Sequence, residues 1–484
     1  MSNLTHLPDR SWEVQTWSLR PLRAAGLGLL FIFGFGVALV VELVHRVETQ
    51  GLQFIANKGI PEAFVFLTLG LLVAVLLIRH AEIALALFFL VGLVKGDPSL
   101  ASTPVDLTLL IGAIVQVGVC YRMIVRRQPL RLPQEYFLYL PLLLMMVLSL
   151  TYAPDFAGGM DKLLRFVCLT SIGIIAPFVL FDDFRKLGRF FVVLILGGIA
   201  LAINSLTMLG GEERMVSPSG LNTELGAASA VALILIWGMV FPRLSLGRRI
   251  LLYPVLGLLG VALIGSGGRF ANVSAVICLF IGAILCRKLF TDILLVGGLG
   301  ILALPFFWIP QASLDYLRSV LHPSQAMGTR NDLMWLGVRM FSEHPIFGVG
   351  AQGFRYLSPN PLTYNYPHNL FLELGSEMGI VAALAFLALT FFAFREIIRQ
   401  MWEPSSSFNS LSPTVFLLLT YVFLDAMVSG DMNDLRFMWF VFGLPYVLRN
   451  LAAASPLLSL EHYSFLRPST GAGISSHGLE QCPK

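Results

Sequence analysis

The chain alternates long apolar runs with short polar gaps. Runs of bilayer-spanning length start near Ala24, Ala63, Glu82, Val105, Glu135, Leu163, Phe190, Glu224, Ile250, Arg269, Leu289, His368, Leu411 and Leu435. Each is roughly 16–22 residues long, close to what a helix needs to cross the hydrocarbon of a membrane. The pattern predicts an all-α polytopic membrane protein with about 12–14 transmembrane helices. The second and third runs are short and fit one hairpin or a re-entrant pair. A β-barrel would instead show alternating segments of about 10 residues.

One stretch interrupts the pattern. Residues 309–367 form a long polar loop between two apolar runs. It contains an amphipathic helix pattern from Arg330, a Gly-rich turn (Phe347-Gly348-Val349-Gly350, then Gly353) and a Pro/Asn/Tyr segment ending in Pro367-His368-Asn369. Long loops inside compact chains are usually functional or disordered. The expected organisation is a polar N-terminal tail (1–23), an N-terminal bundle (24–308), the loop (309–367), C-terminal helices (368–451) and a disordered tail (452–484). Arg330–Pro367 is expected to lie as a lid over the outer leaflet, its glycines letting it fold over a substrate.

Composition agrees. The chain has 484 residues, 56% of them hydrophobic and 13% charged, with a mean hydropathy of +0.78. So few charges do not cover a soluble surface of this size. The net charge of +4 carries no nucleic-acid signal, because the basic residues sit in short loops. The five cysteines (Cys120, Cys168, Cys278, Cys286 and Cys482) have neither metal nor disulfide spacing. Ser2 to Arg23 is too long and polar for a signal-peptide n-region, so the first apolar run reads as a retained anchor.

Charge then orients the helices. Basic clusters follow alternate gaps: Arg20 and Arg23; Arg79; Arg122 to Arg131; Arg185 to Arg189; Arg243 to Arg249; Arg287 and Lys288; Arg395 and Arg399; and Arg449. By the positive-inside rule these gaps and the N-terminus face the cytoplasm. The opposite face receives Gly210–Asn222, Gly265–Arg269, the long loop and Ser429–Leu435.

Ionisable residues inside spans are costly and point to function. Arg165, Glu224, Arg269, Glu373, Glu377 and Asp425 all fall in the outer halves of their expected spans, while the inner halves are nearly free of charge. Snorkelling to the interface explains any one of them. As a set they outline a polar cavity open to the outer side. Arg269 ends the turn Gly265-Ser266-Gly267-Gly268, where backbone and a helix N-terminus approach an anion readily and a guanidinium grips phosphate oxygens in pairs. Arg214 sits in an outer loop beside Glu212 and Glu213 and also reads as an ordinary solvated charge. His368 stands where the loop re-enters the membrane. A helix start disfavours imidazolium, so the ring is expected to be neutral and able to act as a general base; the bland reading is a capping histidine. Asp431 and Asp434 read as a solvated turn. Walker loops, dinucleotide fingerprints and H-E-x-x-H are absent from the sequence, so no cofactor is expected.

The stretch Arg330…Trp335…Glu343-His344-Pro345-Ile346-Phe347-Gly348-Val349-Gly350…Phe354, followed by Pro367-His368-Asn369-Leu370-Phe371-Leu372-Glu373-Leu374…Glu377-Met378-Gly379-Ile380, resembles the shared domain of bacterial O-antigen ligases and O-antigen or exopolysaccharide polymerases. The resemblance covers residues 309–380, with weaker likeness at Ser217–Gly226 and Gly265–Arg269. It implies a GT-C-like, metal-independent glycosyltransferase in the bacterial inner membrane. The implied donor is an undecaprenyl-pyrophosphate-linked glycan and the acceptor a glycan or lipid A-core. His368 would activate the acceptor, Arg269 and Arg214 would bind pyrophosphate, and Arg330, Arg165, Glu224, Asn369, Glu373 and Glu377 would line the substrate site. Membrane lipids are the remaining expected partners. A lipid-linked oligosaccharide or small-anion transporter, and a non-catalytic assembly protein, remain as alternatives.

Overall fold

The computed structural model describes residues 60–94, 106–208, 213, 215–218, 220–285, 311–318, 328–359, 366–402, 411–428 and 430–454. These residues are helical with short turns, and no strand occurs among them. The helices are α1 (Ile60–Arg79), α2 (Ala81–Val91), α3 (Leu107–Ile124), α4 (Tyr139–Ser149), α5 (Phe156–Arg165), α6 (Ser171–Leu180), α7 (Phe184–Ser205), α8 (Asn222–Leu235), α9 (Tyr253–Gly265), α10 (Arg269–Leu285), α11 (Gln311–Arg318), α12 (Gly328–Glu343), α13 (Gly353–Leu357), α14 (Leu370–Met378), α15 (Ile380–Trp402), α16 (Ser412–Ala426) and α17 (Arg436–Ala454).

Among the described residues, eight helical stretches are long and apolar enough to cross a membrane. α10 and α16 are shorter apolar helices, and the second and third apolar runs form a pair bent by 116°. The chain is thus an all-α, multi-pass membrane protein. The expected spans from Ala24 and Leu289 and both chain tails lie outside the described residues. One boundary is corrected. The run from His368 is not a continuous span: α14 stops at Met378, Gly379 adopts φ 81°, and the crossing helix begins at Ile380.

Acidic residues start several helices by accepting hydrogen bonds from free backbone N–H groups. Asp106 caps α3 through Thr108 N at 2.8 Å, and Asp155 caps α5 through Gly158 N at 3.0 Å. α17 is central and packs on α6, α15 and α16. Its Trp439 is fully buried among the rings of Tyr139, Phe166, Phe386 and Phe442. Aromatic contacts of this kind add to simple area burial.

The described helices run alternately between two chemically distinct ends. At the basic end, buried Glu82 lies 3.1 Å from both Arg122 and Arg189. Glu396 pairs there with Arg399 and Arg449, and Asn450 donates to the Arg131 carbonyl. Residues that the charge pattern puts on one side of the membrane therefore do meet. These pairs also correct an expectation: Glu82 and Glu396 are buried carboxylates at the end expected to be nearly free of charge. At the opposite end gather residues 215–218 and 220–222, the Gly265–Arg269 turn, α12, the start of α14 and the 430–435 turn.

Candidate active site

The Gly-rich turn after α12 sets the geometry of this end. Val349 N donates to Ser376 O at 2.7 Å, Gly350 N to Glu377 O at 3.0 Å, and Ile380 N to Pro345 O at 2.8 Å. The turn thus supplies partners for the backbone groups freed where α14 breaks from α15. The approach requires glycine. A Cβ on Gly379 would sit 2.0 Å from Ile346 O, and one on Gly348 would sit 2.4 Å from the Glu377 carbonyl carbon. These glycines lock the turn against the helix break, which differs from the expected role of a lid folding over a substrate.

α12 lies along α14. Gly337 meets Pro367 and Leu372, Phe341 covers Gly375, and Leu333, Met340 and Phe354 form a small core beneath. This packing carries Arg330, near the start of α12, over the ring of Phe270 at 5.1 Å. Phe270 follows Arg269, the first residue of α10. Met215 N donates to Gly265 O at 3.0 Å and Asn222 Nδ2 to Ser266 O at 3.0 Å, so Met215 and Asn222 close on the same turn. Arg214 lies outside the described residues.

His368 faces this group. Pro367 is buried beside it, and Asn369 caps α14 by accepting from Leu372 N at 3.0 Å. Asn369 Nδ2 also donates to Met427 O at 3.0 Å, so both ends of this side chain serve the fold. His368 takes φ 56°, an uncommon conformation for a non-glycine residue. Its ring packs edge-on against Tyr366, with centroids 4.6 Å apart, and its Nδ1 has no hydrogen-bond partner among the described residues. Burial, and then the Arg330 guanidinium, push its pKa down to about 4. Both effects favour the neutral ring. Desolvation and a nearby cation are its causes, rather than the helix end alone.

Tyr366 is held well above the usual phenol range, to about 12, first by burial and then by Asp434, Asp431 and Glu373. Asp434 is solvent-accessible yet recessed among protein atoms. That recess, with Asp431 beside it, raises its carboxyl to about 6, and Arg436, Arg165 and Glu224 lie close enough to act on it. His368 thus packs on Tyr366 within electrostatic reach of Arg330, Tyr366 lies within reach of Asp431 and Asp434, and Asp434 lies within reach of Arg165 and Glu224. Arg165 is exposed and pairs with Asp161 at 2.9 Å, and Glu224 accepts from Ser217 Oγ at 3.2 Å.

Glu373, though within electrostatic reach of Tyr366, and Glu377 are both engaged by a lysine. Both are fully buried, 2.6 Å from Lys162 Nζ. Lys162, Tyr366, Asp431 and Asp434 escape sequence reasoning. Lys162 lies at the start of its run and reads as a loop cation, and the two aspartates read as a solvated turn.

No curated protein matches the chain. Residues 253–387 match the family model described as O-antigen ligase, an interval that contains the Gly265–Arg269 turn, Arg330, the Gly-rich turn, His368 and α14. That match supports a glycosyltransferase-like membrane glycan ligase or polymerase, and it is over residues 253–387 that the chain is similar to the O-antigen ligase-like family.

Proposed function

We propose that the protein joins an undecaprenyl-pyrophosphate-linked glycan to a sugar hydroxyl at the outer face of the bacterial inner membrane. The basic end would face the cytoplasm and the His368 end the periplasm. The observation that carries this reading is His368 Nδ1, without a hydrogen-bond partner among the described residues, on a ring that burial and Arg330 bias toward the neutral form, with Arg330 in turn over the start of α10.

In this mechanism the neutral imidazole accepts the proton of the acceptor hydroxyl as its oxygen attacks the anomeric carbon of the donor. The bond from that carbon to the pyrophosphate oxygen breaks, and undecaprenyl pyrophosphate departs. Negative charge grows on the leaving group, where Arg330 and Arg269, and by family resemblance Arg214, stabilise it. Recessed carboxylates and an aromatic ring beside the base suit a polyhydroxylated acceptor. Two chemistries fit equally: ligation onto lipid A-core, or extension of another lipid-linked repeat.

The test is transfer in a defined membrane. Purified protein in nanodiscs, given lipid-linked glycan donor and acceptor, is expected to form product, and the His368→Ala protein to form none while retaining wild-type thermal stability. Wild-type product formation by His368→Ala overturns the mechanism. Movement of the donor between leaflets without any new glycosidic bond would favour transport instead.

A further inference from the structure

At the basic end, far from His368 along the helices, an apolar cavity of ≈ 440 Å³ opens between α3, residues 130–133, α4 and α6. Val119, Met123, Leu132, Phe137, Leu140 and Ile175 are among its walls. Phe137 and Leu140 are more than half exposed, so the cavity opens outward on the apolar flank of the bundle rather than into its core.

Three cations rim it. Arg126 and Arg127 follow the wall residue Met123, and Arg131 stands between the wall residues Leu130 and Leu132. All three are exposed. Their neighbours at this end are committed: Arg122 and Arg189 to Glu82, Lys186 to Asp182, and Arg399 and Arg449 to Glu396. Among the described residues, Arg126, Arg127 and Arg131 have no carboxylate partner. Arg127 also takes φ 51°, while Gln128 N donates back to Arg122 O at 3.1 Å, so an arginine fills the helix-ending position where glycine is the usual choice. A cation is kept there at a conformational cost.

We propose that this cavity holds one anionic phospholipid of the leaflet at the basic end. An acyl chain lies along Val119, Met123 and Leu140, and the phosphate lies beneath Arg126, Arg127 and Arg131. Apolar walls open to the bilayer suit a hydrocarbon chain, and clustered basic residues beside membrane helices attract anionic headgroups. A zwitterionic lipid would satisfy the walls and carry the same phosphate, but its added ammonium would be repelled by the three arginines. The site stands whether or not the glycan-transfer reading holds.

The full-length protein, purified in detergent, is exchanged with phosphatidylglycerol or with phosphatidylcholine of the same chains, and retained lipid is counted by native mass spectrometry. The wild type is expected to retain one phosphatidylglycerol in preference to phosphatidylcholine. Arg126→Gln/Arg127→Gln/Arg131→Gln should lower that retention by at least about tenfold, given three juxtamembrane cations. Leu140→Trp, which fills the mouth, should lower it with every arginine intact. Arg248→Gln/Arg395→Gln, which removes exposed cations elsewhere at the same end, should leave it unchanged. Equal retention of the two lipids by the wild type overturns the proposal, as does equal loss in the Arg248/Arg395 variant. A photo-crosslinker at position 140 that captures this chain's own residues instead of lipid also overturns it.

Discussion

Lys162 Nζ lies 2.6 Å from a carboxylate oxygen of Glu373 and 2.6 Å from one of Glu377, and all three side chains are buried. Glu377 accepts a hydrogen bond from the ammonium, whereas Glu373 Oε1 is held by charge without hydrogen-bond alignment. Glu373 Oε2 accepts instead from Met432 N, and Asn433 donates to the Lys162 carbonyl. One lysine thus ties α5 to α14 and to the turn that carries Asp431 and Asp434. Removing one partner of a buried ion pair strands the other charge, which costs roughly 3–5 kcal/mol. Lys162→Met is expected to unfold well below the wild type in a thermal scan of detergent-solubilised protein. Adding Glu373→Gln and Glu377→Gln should recover most of the loss. A wild-type melting temperature for Lys162→Met alone would remove the clamp from the account of this fold.

Two glycines with nearly the same φ differ in what surrounds them. Gly379 has φ 81° and Gly220 has φ 83°. A Cβ at Gly379 meets Ile346 O at 2.0 Å, whereas nothing lies within 4 Å of one at Gly220. Gly220→Ala should cost only the left-handed penalty, about 1 kcal/mol. Gly379→Ala adds a clash with backbone and should break the Ile380–Pro345 hydrogen bond. Hydrogen exchange at Ile380, Val349 and Gly350 should accelerate in Gly379→Ala and stay unchanged in Gly220→Ala. Unchanged protection in both variants would mean that the turn is not held by this contact.

The difference between these glycines also shows where sequence reasoning stops. Apolar run length exposes the helices, because crossing hydrocarbon constrains composition over a whole span. Charge alternation foretells the two ends, since Arg122 does meet Arg189's partner Glu82, and Arg131 does meet Asn450. The Gly-rich turn and His368 also stand out. The role of the glycines does not, because close backbone approach depends on a partner segment about thirty residues away, and chain flexibility reads the same as a locked contact. Glu373 and Glu377 look like cavity carboxylates until Lys162, more than two hundred positions earlier, lands between them. Such long-range pairings leave no local pattern to read.

His368 should set an unusual acid limit. Its pKa falls from the ordinary 6.5 to about 4 through burial and then Arg330. The base is therefore already unprotonated through the range where a solvated histidine titrates, and kcat/KM should fall only as pH approaches about 4. Arg330→Gln should move that limb upward toward 6.5. The stability effect has a definite sign. The unfolded chain takes up the proton first, so His368 makes folding less favourable as pH drops from 6.5 toward 4, and His368→Gln should lack that contribution. An acid limb at 6.5 in the wild type would place the ring in solvent.

Arg330 has two separable effects, and pH distinguishes them. Near pH 8 the His368 ring is neutral with or without the guanidinium, so any rate loss there reports charge stabilisation of the leaving group. Removing one such preorganised donor typically costs about 10²–10³ in rate. Arg330→Gln at pH 8 is expected to lose that much transfer activity. Arg330→Lys should fall between it and the wild type, because an ammonium keeps the charge but not the paired grip on oxygens or the guanidinium's place over Phe270. Phe270→Leu, which removes only the ring beneath the guanidinium, should lose less than Arg330→Gln and leave the acid limb near 4. If Arg330→Gln matches the wild type at pH 8 while its acid limb moves, Arg330 acts only on the base, and the pyrophosphate must be held elsewhere in the recess.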